Sequence, residues 1–530
     1  MSPLKSDTAN IKKEKINEHE NKDDMDESSP LKPDINEQKG KNEEPKKLTI
    51  RERLKLIKDN TTVEPIMACY VMPSVLASLA IQNLNLEKAC RVNLNYSSEV
   101  CDALNLRQTE NYTEQEEEVQ RLTAGIQVWK NIVQTAIPVL LILFVGAWSD
   151  KTGKRKACIL IPIVGEFLSC LGFIVNTFFF YELPVEVAAL TESIFPAITG
   201  GWFTNFIGVF SYIGDITTTE NRTYRVGMVN MFMSLGYPIG SALSGVLLSW
   251  VGYYGVFSIS ATLYLFSLLY GYYYLEESKQ RAEKKIANQK FKSKGCLREF
   301  FDIGLVMDTF RVAFRKGPGN RRLRVALLLI VVCVVFGPMH GEFTILYLFT
   351  RYRFNWDEVQ FSMWSTYSIV TNLLGTFFSI TLFSNYLKLD DTLLGIISNT
   401  SKIIASFAYA FARNDLEIYL APLLEILNGT SFIAMRSIAT KLVNGEEFGK
   451  VNSLFGLAEA TMPLVYGPLY SRVYMATLNV LPGAVFLLGA FLTLPAILIF
   501  GWLYFEHKKD ILRNDATRTD GEKQQAEQLK

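Results

Sequence analysis

The chain has 530 residues, of which 49% are hydrophobic and only 20% are charged, and its formal net charge at pH 7 is +1. A soluble protein of this length usually carries more charge and divides into several domains, so the composition argues against that class. The Lys-rich stretches lack the aromatic platforms and zinc-finger spacings of nucleic-acid binding, which argues against a nucleic-acid partner.

Apolar runs of about 20 residues recur along the chain, and each can cross a hydrocarbon core of roughly 30 Å as a helix. The sequence therefore predicts an all-α polytopic membrane protein with about twelve transmembrane helices in two six-helix bundles. We expect the protein to be embedded in the lipid bilayer as a monomer. The predicted helices span residues 63–83, 125–147, 157–180, 186–212, 224–249, 252–275, 323–350, 358–383, 392–412, 415–440, 448–474 and 480–505.

These helices divide the chain into bundles, tails and loops. Residues 63–275 form the predicted N-terminal bundle, with an outer loop at 84–124, and residues 323–505 form the C-terminal bundle. The polar residues 1–62 are expected to be a disordered cytosolic tail. The two remaining segments are a cytosolic linker at 276–322, which contains an amphipathic stretch, and a cytosolic C-terminal tail at 506–530.

Charged loops predict the topology. Lys and Arg crowd 151–156, 222–225, the linker and the stretch after 505, which places that face and both termini in the cytosol. The opposite outer loop carries two glycosylation sequons, at Asn95 and Asn111. It also holds Cys90 and Cys101, where oxidation is possible. Either these two cysteines form a disulfide with each other, or one is free or pairs elsewhere.

The segment "GAWSDKTGKRK" (146–156) lies in the cytosolic turn between predicted helices 2 and 3. Gly146 and Gly153 allow a tight reversal. Asp150 suits a helix N-terminus, whereas Lys154 and Arg155 suit helix C-termini or a carboxylate. The alternative is a basic loop that only sets the topology.

Ionisable residues at membrane depth are candidates for function. Arg436 in predicted helix 10 is a candidate to bind an anionic substrate, with a structural arginine as the alternative. His340 lies close to Glu342, and such a pair could carry a proton, although a packed histidine is nearly as plausible. Four more acids fall in predicted helices and must be paired or neutral in part: Glu166, Glu192, Glu425 and Glu459.

Enzyme chemistry finds little support in the sequence. The chain has three histidines, and it contains no Cys-x-x-Cys, no HExxH and no phosphate-binding Gly-rich loop. We therefore expect no enzyme activity, no cofactor and no metal site.

The ordered set Gly-x-x-Ser-Asp-x-x-Gly-Lys-Arg-Lys at 146–156 resembles the signature loop of the major facilitator superfamily. In that fold the loop latches the two halves together on the cytosolic side in one conformation. Further stretches resemble the proton-coupled folate transporter family (solute carrier family 46): "FSYIGDITTTENRTYRVGMV", "FNWDE", "IAMRSIATKLV" and "LYSRVYMATLNVLPGAVFLLGAFLTLPAIL". Together with the loop they cover about residues 60–505.

The resemblance assigns roles to particular residues. Arg436 matches a helix-10 arginine that the folate branch uses in proton-coupled substrate binding. The gating set that the resemblance implies comprises Gly146, Asp150, Gly153, Lys154 and Arg155, together with the inner-loop residues Asp215, Arg222 and Arg225.

The chain also departs from the folate branch. Lys154 replaces a latch arginine and so lacks the planar guanidinium. Gly201 and Asn230 stand where that branch has acids, and the partner of Cys101 in its outer disulfide is Asn355 here. The first two absences put folate transport and tight proton coupling in question. The third favours the Cys90–Cys101 pairing.

The sequence therefore predicts a secondary transporter or facilitator of an organic, anionic solute, with protons as the candidate co-substrate, that works by alternating access. The alternative is a transport-inactive sensor or scaffold that retains the fold. The expected location is the plasma membrane, with the endosomal or lysosomal membrane as the alternative because "ERLKLI" (52–57) fits an acidic dileucine pattern.

Overall fold

The structure is a computed structural model, and it describes residues 62–152, 154–217, 219–276, 303–315, 317, 320–387, 389–442 and 445–528. Within those residues every ordered element is helical. The predicted disordered tail and most of the predicted linker lie outside the described residues.

The described residues contain fifteen α-helices, numbered here in chain order. The N-terminal half contains α1 Glu64–Lys88, α2 Ser98–Asn105, α3 Thr113–Thr152, α4 Arg155–Phe178, α5 Val185–Thr199, α6 Gly201–Ile216 and α7 Thr219–Tyr274. The C-terminal half contains α8 Ile303–Ala313, α9 Arg321–Phe354, α10 Glu358–Ser379, α11 Asp391–Phe411, α12 Asp415–Leu424, α13 Thr430–Leu442, α14 Gly445–Thr477 and α15 Ala484–Gln528. Short π-helical turns extend α1 through Ala89–Asn93 and α10 through Ile380–Tyr386.

Eight helices in the described part of the chain are long and apolar enough to cross a membrane. One of them contains two passages, because α7 breaks at Gly252, where φ is 61°. The predicted single helix at 186–212 is instead the pair α5 and α6, which Gly200 separates with φ 89°. Glycine adopts this left-handed backbone without the steric cost that a side chain would add. The predicted helix at 415–440 is likewise two helices, α12 and α13.

Two helices extend beyond their predicted ends. Helix α3 begins at Thr113, within the predicted outer loop, because Glu114 and Glu116 in its first turn favour a helix start. Helix α15 continues through the predicted C-terminal tail to Gln528. That segment is rich in Lys, Glu, Gln and Ala, which have high helix propensity.

Each half packs mainly against itself. In the N-terminal half α1 lies along α7, and α4 packs against α5, α6 and α7. In the C-terminal half α9 packs against α14 and α15, and α11 packs against α15. The halves meet where α3 lies along α14 and where α7 lies along α10. We call the end of the molecule that carries residues 84–124 the outer end, and the opposite end the inner end.

At the outer end a single hydrophobic core crosses from one half to the other. Cys101 and Leu104 of the N-terminal half belong to the same buried cluster as Tyr347, Trp356 and Tyr470 of the C-terminal half. Because burial of apolar surface is the main force that holds such contacts together, this cluster closes the outer end.

Candidate functional site

A buried lysine with two carboxylates lies within the C-terminal half. Lys402 of α11 is 5% exposed, and its Nζ lies 2.6 Å from Oε2 of Glu342 on α9 and 3.0 Å from Oε1 of Glu425. The second Glu342 oxygen, Oε1, is buried without a hydrogen-bond partner among the described residues. We call Glu342, Lys402 and Glu425 the Lys402 cluster. It holds one formal positive charge against two carboxylates.

The break between α12 and α13 places Glu425 in this cluster. Glu425 directly follows α12, and Asn428 in the break donates to Glu425 Oε1 at 2.8 Å. Ser398 of α11 donates to the carbonyl oxygens of Leu427 and Asn428, both at 2.8 Å. A polar side chain therefore satisfies backbone groups that the broken helix leaves free, as irregular backbone at membrane depth requires.

The N-terminal half has a counterpart, which we call the Lys130 cluster: Lys130, Glu192 and Glu166. Lys130 of α3 is 5% exposed, and its Nζ lies 2.6 Å from Glu192 Oε1 on α5. Glu166 of α4 interacts electrostatically with Glu192. Glu192 Oε2 is buried and lacks a hydrogen-bond partner among the described residues.

Arg436 of α13 pairs with Glu459 of α14. Its Nη2 lies 2.7 Å from Glu459 Oε1, and its side chain is 45% exposed. The guanidinium is therefore held by a carboxylate and still accessible, as a group that binds an anionic ligand must be.

His340 and Glu342 are not brought together. Glu342 turns to Lys402, whereas the His340 ring lies 4.6 Å from the Phe336 ring. Phe336 in turn contacts the ring of Phe432, which precedes Arg436 by four residues on α13. Residues four apart lie on the same helix face, so the Phe432 ring lies on the face of α13 that carries Arg436, and the Phe336 and His340 rings continue from it.

The gating residues at the inner end form contacts within the N-terminal half. Arg155 is buried, and its Nε donates to Asp215 Oδ2 at 2.9 Å. Arg225 is also buried and pairs with Glu64 Oε1 at 3.3 Å. Lys154 lies over the Trp148 ring, with 5.9 Å between Nζ and the ring centroid.

For the other predicted gating residues the structure describes at most the backbone. Gly146 lies within α3, and Gly153 lies outside the described residues. Asp150 and Arg222 lie on helices, but their side chains are outside the described part of the structure.

Polar contacts at the outer end join the two halves. Arg351 of α9 is 3% exposed; its Nε donates to Glu116 Oε1 at 3.3 Å, and its Nη1 donates to Asn83 Oδ1 at 3.0 Å. The Tyr347 hydroxyl donates to the same Asn83 oxygen at 3.2 Å. Arg107 lies near Arg351. We call these five residues the outer gate: Asn83, Arg107, Glu116, Tyr347 and Arg351.

A disulfide joins Cys90 to Cys101, with 5.9 Å between their Cα atoms. It ties the extension of α1 to α2 next to the outer gate. Asn95 and Asn111 are both exposed, so their glycosylation stays a prediction. No group of three or more metal-ligating side chains occurs in the described residues.

Sequence reasoning missed Lys130, Lys402, Glu116 and Arg351. Lys402 left a usable signal, because it is an isolated cation in the otherwise uncharged run "LLGIISNTSKIIASFAYAF". The partners were not visible, since Lys402 and Glu342 are 60 residues apart and Arg351 and Glu116 are 235 apart.

Two halves of membrane-spanning helices, closed at one end and with charged residues buried between the helices, are the features of a membrane transporter. Residues 122–465 match the family model of the Major Facilitator Superfamily, and the chain belongs to that superfamily. The predicted fold class and the multi-pass membrane location are thereby confirmed.

Curated relatives narrow the resemblance and confirm the predicted likeness to the folate transporter family. The chain is 24% identical to the Drosophila melanogaster "Probable peptidoglycan muropeptide transporter SLC46", over 84% of this chain and 86% of the relative. It is 24% identical to the Gallus gallus "Lysosomal proton-coupled steroid conjugate and bile acid symporter SLC46A3", over 83% of this chain and 93% of the relative. It is 23% identical to the Rattus norvegicus "Proton-coupled folate transporter", over 72% and 79%. These relatives are transporters rather than enzymes.

Solved structures support the fold. The human organic anion transporter MFSD10 aligns with a TM-score of 0.53 at 16% identity, over 83% of this chain and 98% of that one. A bacterial homologue of the human lysosomal transporter Spinster, in an inward-facing conformation, aligns with a TM-score of 0.51 at 12% identity, over 82% and 98%.

Proposed function

We propose that this protein is a proton-coupled transporter of an organic anion, in which the Lys402 cluster carries the proton and Arg436 binds the anion. The observation that carries the proposal is the pairing of one buried lysine with two carboxylates, at 2.6 Å and 3.0 Å. Ionisable groups at membrane depth are costly and mark ion and proton pathways.

Charge balance supports a proton at the Lys402 cluster. If Glu342 and Glu425 were both ionised, the cluster would hold a net negative charge away from water, which is strongly unfavourable. One proton on either carboxylate removes that charge. The other titratable groups that face the cluster, Tyr409 and Tyr470, are neutral as phenols at physiological pH. A state that opens the cluster to water would allow the proton to leave.

The surroundings of Arg436 support an anionic substrate with an apolar ring system. The guanidinium provides a charged fork for a carboxylate or sulfate. The neighbouring rings of Phe336, His340 and Phe432 provide an apolar surface. A bound anion would compete with Glu459 for Arg436, because that carboxylate holds the guanidinium now.

The proton role is tested in proteoliposomes with four candidate substrates: a bile acid, a steroid conjugate, a folate and a muropeptide. An acidic outside should stimulate uptake of at least one of them by the wild-type protein. Glu342→Gln should abolish this stimulation while exchange of labelled for unlabelled substrate persists. Glu417→Gln is the matched control, since this exposed glutamate lies on α12. Gradient-stimulated uptake by Glu342→Gln would contradict the proton role.

The anion role is tested by Arg436→Ala, which should abolish uptake without loss of protein from the membrane. Lys441→Ala is the matched control, because Lys441 lies on the same helix and pairs with Asp391 at 2.7 Å while 68% exposed. Unchanged uptake by Arg436→Ala would contradict the assignment. If the wild-type protein neither accumulates nor exchanges any tested anion, the transport-inactive sensor replaces the transporter.

A further inference from the structure

The guanidinium of Arg107 is in an unfavourable environment in the closed outer gate. Its Nε and Nη1 atoms are buried without a hydrogen-bond partner among the described residues. A buried polar donor normally finds a partner, and one that does not raises the free energy of the state that buries it. The backbone of Arg107 is also left-handed, with φ 62°, which is uncommon for a residue other than glycine.

A second arginine adds to this cost. Burial and the neighbouring Arg351 lower the pKa of Arg107 to about 10, so the side chain remains charged at neutral pH. Glu116 contacts Arg351 and leaves its own Oε2 without a partner. Tyr347, Glu116 and Glu358 attract Arg107 electrostatically. Even so, Nε and Nη1 of Arg107 have no hydrogen-bond partner within the described structure.

The closed gate also has no room for a ligand at Nε and Nη1 of Arg107, although the side chain as a whole is only partly buried. Because these two nitrogen atoms are out of reach of water, they do not line a cavity that could hold an anion. The unpaired donors therefore have no binding role in this conformation. Separation of the halves at the outer end is the movement that would free these donors and expose Arg107 and Arg351 to the outer solution.

We propose that Arg107 and Arg351 form an anion-capture site that exists only while the outer gate is open. The site takes the carboxylate or sulfate group of an anion that arrives from the outer side. As the gate closes, Arg351 engages Glu116 and Asn83, the space at Arg107 disappears, and the anion must leave the site. The inference depends on the transport function proposed above and on the alternating access that the sequence predicts, but it does not depend on the proton role of the Lys402 cluster or on Arg436.

The test measures the gate itself in the full-length protein. Spin labels are placed at Glu114 on α3 and Leu416 on α12, two exposed outer-end positions in opposite halves, in a variant without free cysteines. Sodium acetate is the probe anion, and acetamide is its neutral counterpart. Acetate should move the distance distribution of the otherwise wild-type protein toward the longer, open-gate distance, whereas acetamide should not.

Arg107→Gln should remove the acetate response and raise the ratio of closed to open gate by about tenfold, since a buried unpaired donor costs on that order. Arg107→Lys keeps the charge and should retain part of the response. Arg121→Gln is the matched control: Arg121 also joins the halves at the outer end, but its Nη2 has a partner in Asn479 at 2.9 Å.

Two results would overturn the proposal. One is an acetate response in Arg107→Gln equal to that of the wild type, and the other is no response to acetate in the wild type. Because the readout is a distance, a failure of uptake with every substrate tested would contradict the proposed transport without affecting this result.

Discussion

The Lys402 cluster and the Lys130 cluster contain the same residue types but differ in geometry. Lys402 contacts both of its carboxylates, at 2.6 Å and 3.0 Å. Lys130 contacts Glu192 at 2.6 Å, while Glu166 acts on Glu192 from a greater distance. One lysine therefore holds two acids together in the C-terminal half, whereas the N-terminal half keeps its second acid apart.

This difference indicates how each cluster can respond to a proton. In the Lys402 cluster a proton on either carboxylate would change the charge that the same ammonium group experiences, and so the attraction that holds α9, α11 and the end of α12 together. In the Lys130 cluster the ion pair is complete without Glu166. We therefore expect the Lys402 cluster to tolerate loss of its lysine much less well.

The largest expected effect is that of Lys402→Met. This substitution leaves Glu342 and Glu425 close together without a cation, and removing one partner of a buried ion pair costs about 3–5 kcal/mol. Lys130→Met breaks one buried ion pair rather than two, and Glu192 is less buried than Glu342, so its cost should lie near the lower end of that range, about 3 kcal/mol. Unfolding of the purified proteins in detergent micelles measures both. Equal losses would mean that the two clusters are energetically equivalent.

The positions of most helices could be predicted from the sequence, whereas the breaks within two of the predicted helices could not. The helices could be predicted because runs of about 20 apolar residues have few alternatives in a bilayer. The breaks at Gly200 and at Glu425 could not, because each lies inside an apolar run that is long enough for a continuous helix. The loop at 146–156 identified the superfamily, since its spacing is local.

The pairing of charges was beyond the sequence for a physical reason. His340 and Glu342 are close in the chain, but residues two apart on a helix do not face each other. Glu342 instead meets Lys402, which is 60 residues away. Packing of α9 against its neighbours decides this partner, and no local pattern records that packing.

A smaller effect is expected when the Lys402 cluster is neutralised as a whole. The triple variant Lys402→Met, Glu342→Gln, Glu425→Gln removes the cation together with both acids. Replacing all partners of a buried ion pair is often close to neutral, because no uncompensated charge is left. The triple variant should therefore regain most of the stability that Lys402→Met loses, while proton-stimulated uptake stays absent. A triple variant no more stable than Lys402→Met would show that packing, rather than charge, accounts for the loss.

A packing variant tests the oxygen of Glu342 that has no hydrogen-bond partner among the described residues. A Cβ atom added at Gly489 on α15 would lie 2.2 Å from Glu342 Oε1 and 3.0 Å from the Tyr470 hydroxyl oxygen. Gly489→Ala must therefore displace the end of the Glu342 side chain. Because that side chain is flexible, the cost should be about 1 kcal/mol, the low end for overpacking. Gly501→Ala on the same helix meets nothing within 4 Å and should be neutral or slightly stabilising, because alanine favours the helix.

The same pair of variants separates packing from proton coupling. If Glu342 binds the proton in contact with Lys402, its displacement in Gly489→Ala should shift the pH dependence of uptake, whereas Gly501→Ala should keep the wild-type profile. Each variant adds one methyl group to the wild-type protein. A general effect of alanine on α15 would therefore change the pH profiles of both variants. A pH profile in Gly489→Ala identical to the wild type, with stability reduced as expected, would place the coupling proton on Glu425 instead of Glu342.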